Sequence, residues 1–459
     1  MQDNAPIRRF GRHTRKIKPF DIPEHPGFDA GYDELNQWSR EKASALNQYV
    51  IGFGALAEGE WAAAGITEPD FAAMREYRID RIRAELVKHD LGGIYLYDPL
   101  NVRYATDTTN MQIWVMHNPV RAAFVPTEGP VILYDYHNCQ HLSDFSEAVD
   151  EVHHGTSWFY FKGGDRTHEM ARRWADEVAA IVKQHCGGNK RIAFDQIDSH
   201  GIEPLASHGI QVLYGEDIME EARGIKSPDE ILAMRRATVA CEAAMYEMER
   251  QLQPGMTEND LWAILHAENI RRGGEWIETR LLSSGPRTNP WFQESSARII
   301  EDGDIVAFDT DLVGPYGFCC DISRTWLAGD DKPTDEQRNL YKMAVDQIET
   351  NRELLKPGMT FKEIAHTAKS LPDAYLPNRY SCLIHGVGLC DEYPSIPYAS
   401  DWEKRGYDGV LEPGMVVCVE SYVGRHGGDE GVKLEDQCLI TETGYEQLSV
   451  YPLDERLNR

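Results

Sequence analysis

Gly303-Asp304-Ile305-Val306-Ala307-Phe308-Asp309-Thr310-Asp311 is an apolar run that closes on two carboxylates. It reads as a buried strand, and the period of two along a strand predicts that Asp309 and Asp311 share one face. Two carboxylates side by side in an apolar setting demand a cation, because repulsion and desolvation would otherwise leave one protonated. The same design recurs outward from this run. Asp321 follows the turn signal Gly314-Pro315-Tyr316-Gly317, which predicts a hairpin returning the chain to the same end of the sheet. Met415-Val416-Val417-Cys418-Val419-Glu420 and Gly431-Val432-Lys433-Leu434-Glu435 are further hydrophobic strands, each with an embedded acid. Buried strands rarely hold carboxylates unless these are paired or bind metal, so the acids are read together. His385, in Ile384-His385-Gly386-Val387-Gly388-Leu389, would alone be an ordinary core histidine; beside these acids it can be a neutral ligand. Carboxylate and imidazole without thiolate describe a two-metal centre that polarises substrate oxygen groups.

With 459 residues the chain is too long for one ordinary core, and 42% hydrophobic residues supply apolar surface for two domains. A net charge of -28 excludes nucleic acid, whose phosphates are bound by clustered Lys and Arg, and is compatible with a small neutral or zwitterionic substrate. Nine cysteines without a CxxC pair form neither a disulfide framework nor a thiolate zinc site, and a reducing cytoplasm is the compartment they predict. Arg8, Arg9, Arg12, Arg15, Lys16 and Lys18 are followed by no apolar run, so neither a secretory signal nor a membrane span is expected. They read as a solvated arm over residues 1–35, or as one that grips a partner subunit.

The folded body is expected from near Tyr32. Thr67-Glu68-Pro69-Asp70 predicts a helix start with Thr67 as cap, and Ile79, Ile82 and Leu86 continue at helical spacing to Gly92-Gly93. Ile94–Tyr97, two runs flanking Pro126–Gly129, Arg191–Phe194 and Ile210–Leu213 are strand candidates separated by helix, so residues 36–222 read as an α/β domain. After Arg223 to Pro228 a long helix opens the second domain, residues 223–459. That domain contains an echo, Leu252-Gln253-Pro254-Gly255-Met256-Thr257 against Leu355-Lys356-Pro357-Gly358-Met359-Thr360, which predicts a duplicated half-domain.

The assembled pattern resembles the creatinase/prolidase, or pita-bread, metallopeptidase superfamily. The resemblance runs from about Tyr77 onward: Asp98 to Tyr104 match the family's N-terminal domain and Arg223 to Pro228 its domain junction. Glu412-Pro413-Gly414-Met415 and Gly431 to Asp436 are the most specific stretches. It implies an α/β (α+β) protein with an N-terminal three-layer α/β domain and a C-terminal pita-bread domain with an internal pseudo-twofold repeat. It also implies that Asp309, Asp321, His385, Glu420 and Glu435 hold two divalent or trivalent transition-metal ions, with Asp311 as an added acid, and that the protein is a homodimer.

Several positions depart from the peptidase pattern. Asp311 stands where a glycine normally follows the first ligand, and the Asp309–Asp321 spacing is one residue longer than usual. No histidine occurs in Gly285-Pro286-Arg287-Thr288-Asn289-Pro290-Trp291-Phe292, where peptidases carry one; Asp391 and Glu392 replace a second; Ser421 and Lys433 replace the usual Pro and Arg. The missing histidines handle the scissile amide, so their absence argues against peptide hydrolysis. These departures resemble the DddP-type lyases of the superfamily, which cleave dimethylsulfoniopropionate (DMSP) to dimethyl sulfide and acrylate by β-elimination. That resemblance implies iron, although the ligand types admit Mn, Co or Zn equally. It also assigns Asp391 as general base if its surroundings raise its pKa; otherwise Asp391 is a solvated loop acid. A sulfonium needs aromatic walls, for which Tyr380 and Trp114 are the candidates, with Trp158 and Trp291 behind them. Trp114, in the N-terminal domain, either lines the pocket of the opposite subunit or packs into its own core. The competing functions are an Xaa-Pro dipeptidase or aminopeptidase in which Glu392 or another acid replaces a histidine, and a non-catalytic binding module.

Overall fold

The computed structural model describes residues 23–27, 29–47 and 53–459, so the basic segment Arg8 to Lys18 lies outside the described residues. The chain divides into two compact units, with the division between Arg223 and Gly224; Phe53–Pro69 belongs with the C-terminal unit. Its Trp61 indole donates to Arg236 O, and Glu60 pairs with Arg272.

The N-terminal unit is built on β1 (Gly93–Leu96), β2 (Ala122–Pro126), β3 (Ile132–Tyr134), β4 (Glu151–His153), β5 (Arg191–Phe194) and β6 (Gln211–Tyr214), in the spatial order β4-β3-β2-β1-β5-β6. The central strands β1 and β2 are buried along their whole length, so both sheet faces are covered and the unit has three layers. Tyr95, Phe124, Trp174 and Phe194 fill its core. The helix Phe71–Lys88 is capped by Asp70, which accepts from the amides of Ala72 and Ala73, and not by Thr67. Asp70 directly precedes the first helical turn, where a side-chain oxygen reaches two otherwise unpaired amides. Asp195, just beyond β5, accepts from Tyr97 N at 2.7 Å, Asp98 N at 3.0 Å and Asn101 Nδ2 at 3.0 Å, tying the ends of β1 and β5.

The C-terminal unit carries β7 (Trp276–Ile277), β8 (Leu282–Ser284), β9 (Ile305–Asp309), β10 (Leu312–Val313), β11 (Cys319–Cys320), β12 (Ser323–Leu327), β13 (Ile384–Val387), β14 (Asp391–Ile396), β15 (Val416–Gly424), β16 (Gly431–Ile440) and β17 (Tyr445–Gln447). They form sheets β11-β10-β7, β12-β9-β8 and β14-β13-β15-β16-β17. Four helices, Pro228–Gln251, Glu258–Arg271, Asp335–Arg352 and Phe361–Thr367, all start on capping boxes, led by Ser227, Thr257, Thr334 and Thr360.

The internal echo is a structural repeat. Gly255 and Gly358 both take positive φ, +97° and +83°. Gly255 N donates to Ile300 O while Ile300 N donates to Met256 O; Gly358 N donates to Leu411 O while Leu411 N donates to Met359 O. Five residues after each anchor, Ile300 or Leu411, a strand begins, β9 or β15, and each carries a ligand candidate at its fifth position, Asp309 or Glu420. The two half-domains therefore present equivalent acids from equivalent strands.

One predicted element differs. The run Gly303–Asp311 is not a single strand: β9 stops at Asp309, and Asp311 has a left-handed φ of +34°. A glycine adopts that conformation without the steric cost that a side chain brings to it. The predicted hairpin forms, with Leu312 opposite Cys320 and Val313 opposite Cys319, but Asp321 lies in the gap between β11 and β12 instead of within a strand. Among the described residues no helix is long and apolar enough to cross a membrane.

Candidate metal centre

Strand register decides which side chains meet. β15 and β16 pair antiparallel with Cys418 opposite Gln437, Glu420 opposite Glu435 and Tyr422 opposite Lys433. Period two puts these pairs on one face, so the acid pair is flanked by a Tyr/Lys layer on one side and a Cys/Gln layer on the other. β9 and β12 bring Asp309 opposite Ser323, whose hydroxyl lies 2.7 Å from Asp309 Oδ1 and 2.8 Å from Glu435 Oε2. β13 sets His385 opposite Cys418.

His385 is the focus. Its Nε2 lies 3.1 Å from Glu420 Oε1, 3.3 Å from Glu435 Oε1 and 3.6 Å from Asp321 Oδ2. Nδ1 lies 3.0 Å from Gly386 O, within reach to donate there, so Nε2 is the nitrogen turned to the three carboxylate oxygens. Ligand atoms gather in two groups that share one acid: Asp321, His385, Cys418 and Glu435, and Asp309, Asp311 and Asp321. All are buried, and Asp321 Oδ1 and Glu435 Oε1 have no hydrogen-bond partner. One imidazole nitrogen and five carboxylates, two of whose buried oxygens lack a hydrogen-bond partner, fit hard or borderline transition-metal ions. Asp311 is held within the second group by Thr279, whose hydroxyl donates to its Oδ2 at 2.5 Å.

Lys433 supplies a cation of the chain's own. Its Nζ is 2.5 Å from Glu420 Oε2, 3.0 Å from Glu435 Oε2, 3.1 Å from Asp309 Oδ2 and 2.7 Å from Ser323 Oγ. It ties down one oxygen of each of three acids; the other oxygens of Glu420 and Glu435 are left for the imidazole side. Burial pushes the carboxyls of Asp309, Asp311 and Asp321 up and raises Glu420 to about 8. Burial acts on Glu435 in the same direction, but Lys433 and His385 outweigh it and hold that carboxyl well below the usual range.

Asp391 opens β14, its Oδ1 3.7 Å from His385 Nδ1, with half its side chain exposed. Burial raises its pKa, and the charge of His385 opposes the shift. Glu392 turns the other way: it is buried, its carboxylate paired with Lys226. Tyr380 lies with its ring centroid 4.5 Å from Lys433 Nζ, and Trp291 packs on Tyr422. Trp158 stacks on Trp174 inside the N-terminal core. Trp114, also in the N-terminal unit, is 37% exposed beside Tyr136 and Phe161, so it does not pack into that core. Six of the predicted residues, Asp309, Asp311, Asp321, His385, Glu420 and Glu435, thus converge, with Asp391 at their edge and Tyr380 against Lys433. Cys418, Ser323 and Thr279 join them from outside the set that the sequence predicts. Period two marks Cys418, two residues before Glu420, whereas nothing local marks Ser323 or Thr279.

Residues 232–442 match the metallopeptidase family M24 and residues 78–200 the creatinase/prolidase N-terminal domain. The chain is 50% identical over 416 residues to the dimethylsulfoniopropionate lyase DddP of Roseovarius nubinhibens, covering 90% of this chain and 93% of that one. The chain belongs to the DddP family. The enzyme of the same name from Roseobacter denitrificans is 46% identical to this DddP-family chain, again over 90% of it and 93% of the relative. An Xaa-Pro dipeptidase from Bacillus anthracis superposes with a TM-score of 0.65 at 23% identity, covering 82% of this chain and 98% of that one, and shows the shared fold.

Proposed function

We propose that this chain is a metal-dependent carbon–sulfur lyase that cleaves dimethylsulfoniopropionate to dimethyl sulfide and acrylate. The observation that carries this is its identity to two DMSP lyases along nearly their whole length. Asp309, Asp311, Asp321, His385, Glu420 and Glu435 would hold the metal ions, and iron is the ion we assign. When bound, such ions anchor the substrate carboxylate and acidify the adjacent C–H bond.

The remaining chemistry belongs to side chains. Asp391 takes the proton from the carbon next to the carboxylate, its raised pKa bringing it closer to the operating pH. The electron pair of that C–H bond forms the carbon–carbon double bond of acrylate while the carbon–sulfur bond breaks. Its electrons leave on sulfur, which departs as neutral dimethyl sulfide. Tyr380 contributes an aromatic face to the sulfonium end. Lys433 and Ser323 keep Asp309, Glu420 and Glu435 in place, so the geometry is set before the substrate arrives. The alternative in which Glu392 replaces a peptidase histidine is disfavoured by its pairing with Lys226.

A homodimer is favoured by the exposed apolar side chains Met111, Ile113, Trp114 and Met116. A cytoplasmic location is favoured by nine cysteines that are all free. The test is to incubate metal-loaded protein with DMSP and, separately, with an Xaa-Pro dipeptide. Dimethyl sulfide and acrylate are expected from the first and no proline from the second; proline without sulfide refutes the lyase reading.

A further inference from the structure

The segment that lacks the peptidase histidine is held by polar contacts to β15 and to the turn that follows it. Tyr422 Oη donates to Thr288 O at 2.8 Å, and Asn289 Nδ2 donates to Arg425 O at 2.8 Å and Gly428 O at 2.9 Å. Asn378 Nδ2 donates to Asn289 Oδ1 at 2.8 Å. Trp291 follows, 5% exposed and packed with Ala307 and Tyr422, its indole N–H without a hydrogen-bond partner. The next residue does the opposite. Phe292 is 56% exposed, although its neighbour is buried, and its backbone is left-handed at φ +70°. A bulky residue at positive φ is strained, and an exposed aromatic ring forgoes the burial that would offset the strain. Its ring stacks on Tyr380 with centroids 5.5 Å apart and planes 28° from parallel. Tyr380 in turn lies against Lys433, which touches Asp309, Glu420 and Glu435. A file of groups therefore runs from the carboxylate nest through Lys433 and Tyr380 to an exposed aromatic face.

We infer that Phe292, stacked on Tyr380, is a specificity-determining residue that receives the sulfonium end of the substrate while its carboxylate end faces the metal centre. The inference rests on the lyase reading. An onium group carries its charge on polarised methyls that favour an aromatic face over water, and a neutral branched alkyl group of the same shape gains only the apolar contact. Phe292 therefore selects for charge, where a leucine at the same place would select for shape alone.

The experiment compares three carboxylates on metal-loaded wild type, Phe292→Leu and Phe292→Trp: DMSP, its quaternary ammonium analogue 3-(trimethylammonio)propanoate, and the neutral isostere 4-methylpentanoate. Phe292→Leu is expected to raise KM for DMSP and Ki for the ammonium analogue by about 2- to 30-fold, with kcat and the Ki of 4-methylpentanoate unchanged. Phe292→Trp is expected to retain cation affinity. Equal losses for the cationic and neutral inhibitors, or no loss for either, overturn the inference. Wild-type turnover of DMSP separates this outcome from failure of the lyase reading itself, because calorimetric binding of the two inhibitors tests the aromatic site without chemistry.

Discussion

Replacing Lys433 by methionine keeps a chain of similar length and removes an ammonium that lies within 3.1 Å of three acids. At an effective dielectric of about 20, each contact near 3 Å is worth about 5 kcal/mol of attraction, most of it offset by desolvating the ammonium. Breaking a buried pair by removing one partner costs about 3–5 kcal/mol, because the charges left behind have no compensation. Lys433 and its three partners are almost wholly out of solvent, so the upper part of that range applies. For domains of this size a loss of 1 kcal/mol lowers Tm by about 2–4 °C, so a loss of about 4–5 kcal/mol is expected to make Lys433→Met melt ~8–20 °C below wild type. Lys433→Arg, which keeps the charge, is expected to lose less. Metal content after equilibration with chelator, read by inductively coupled plasma mass spectrometry, is expected to fall further in Lys433→Met than in wild type, since Asp309, Glu420 and Glu435 lose the group that orients them. A Tm within 2 °C of wild type together with unchanged metal retention would refute the reasoning and make Lys433 a spectator.

Asp391→Asn is expected to lower kcat by about 10²- to 10⁴-fold with metal content intact, whereas Asp321→Ala and His385→Ala lose both; metal loss in the Asp391 variant would make that residue a ligand or a structural group. Asp195 gives a pH signature in the N-terminal unit. Burial pushes its carboxyl up to about 6 despite the amides that hydrogen-bond to it. A raised folded pKa favours the protonated form, so its contribution is complete below the unfolded value near 4 and is lost as pH rises through about 6. About two pKa units correspond to about 3 kcal/mol. Denaturant unfolding of wild type and Asp195→Asn from pH 4 to 7 is expected to show a flatter profile in the variant; parallel profiles would remove Asp195 as the cause.

Much of the centre is legible because burial and strand period act locally. An acid inside an apolar run is anomalous wherever the run ends up, and alternation says which neighbours share its face. Asp309, Glu420 and Glu435 are of this kind, and the Pro-Gly-Met-Thr echo exposes the duplication because positive-φ glycines and Thr caps have short-range causes. Extending the strand through Asp311 puts its carboxylate near the site for the wrong reason, since it arrives there through a left-handed residue that alternation does not describe. The sequence places the cap at Thr67, three residues early, because Asp70 suits the role as well and only the position of the first helical turn decides between them.

Identity and pattern along the chain were thus sufficient for the acids, the histidine, the repeated half-domains and the family, since each depends on residue type at short spacing. The tertiary structure alone decided partnerships. Lys433 is an ordinary strand lysine until β15, β16 and β9 close around its ammonium. Glu392 and Asp391 are adjacent acids until alternation across β14 sends one to Lys226 and leaves the other beside His385. Phe53–Pro69 precedes the N-terminal sheet in sequence yet belongs to the C-terminal unit. Such pairings join residues tens to hundreds of positions apart, where chain order carries no distance and only the packed core supplies one.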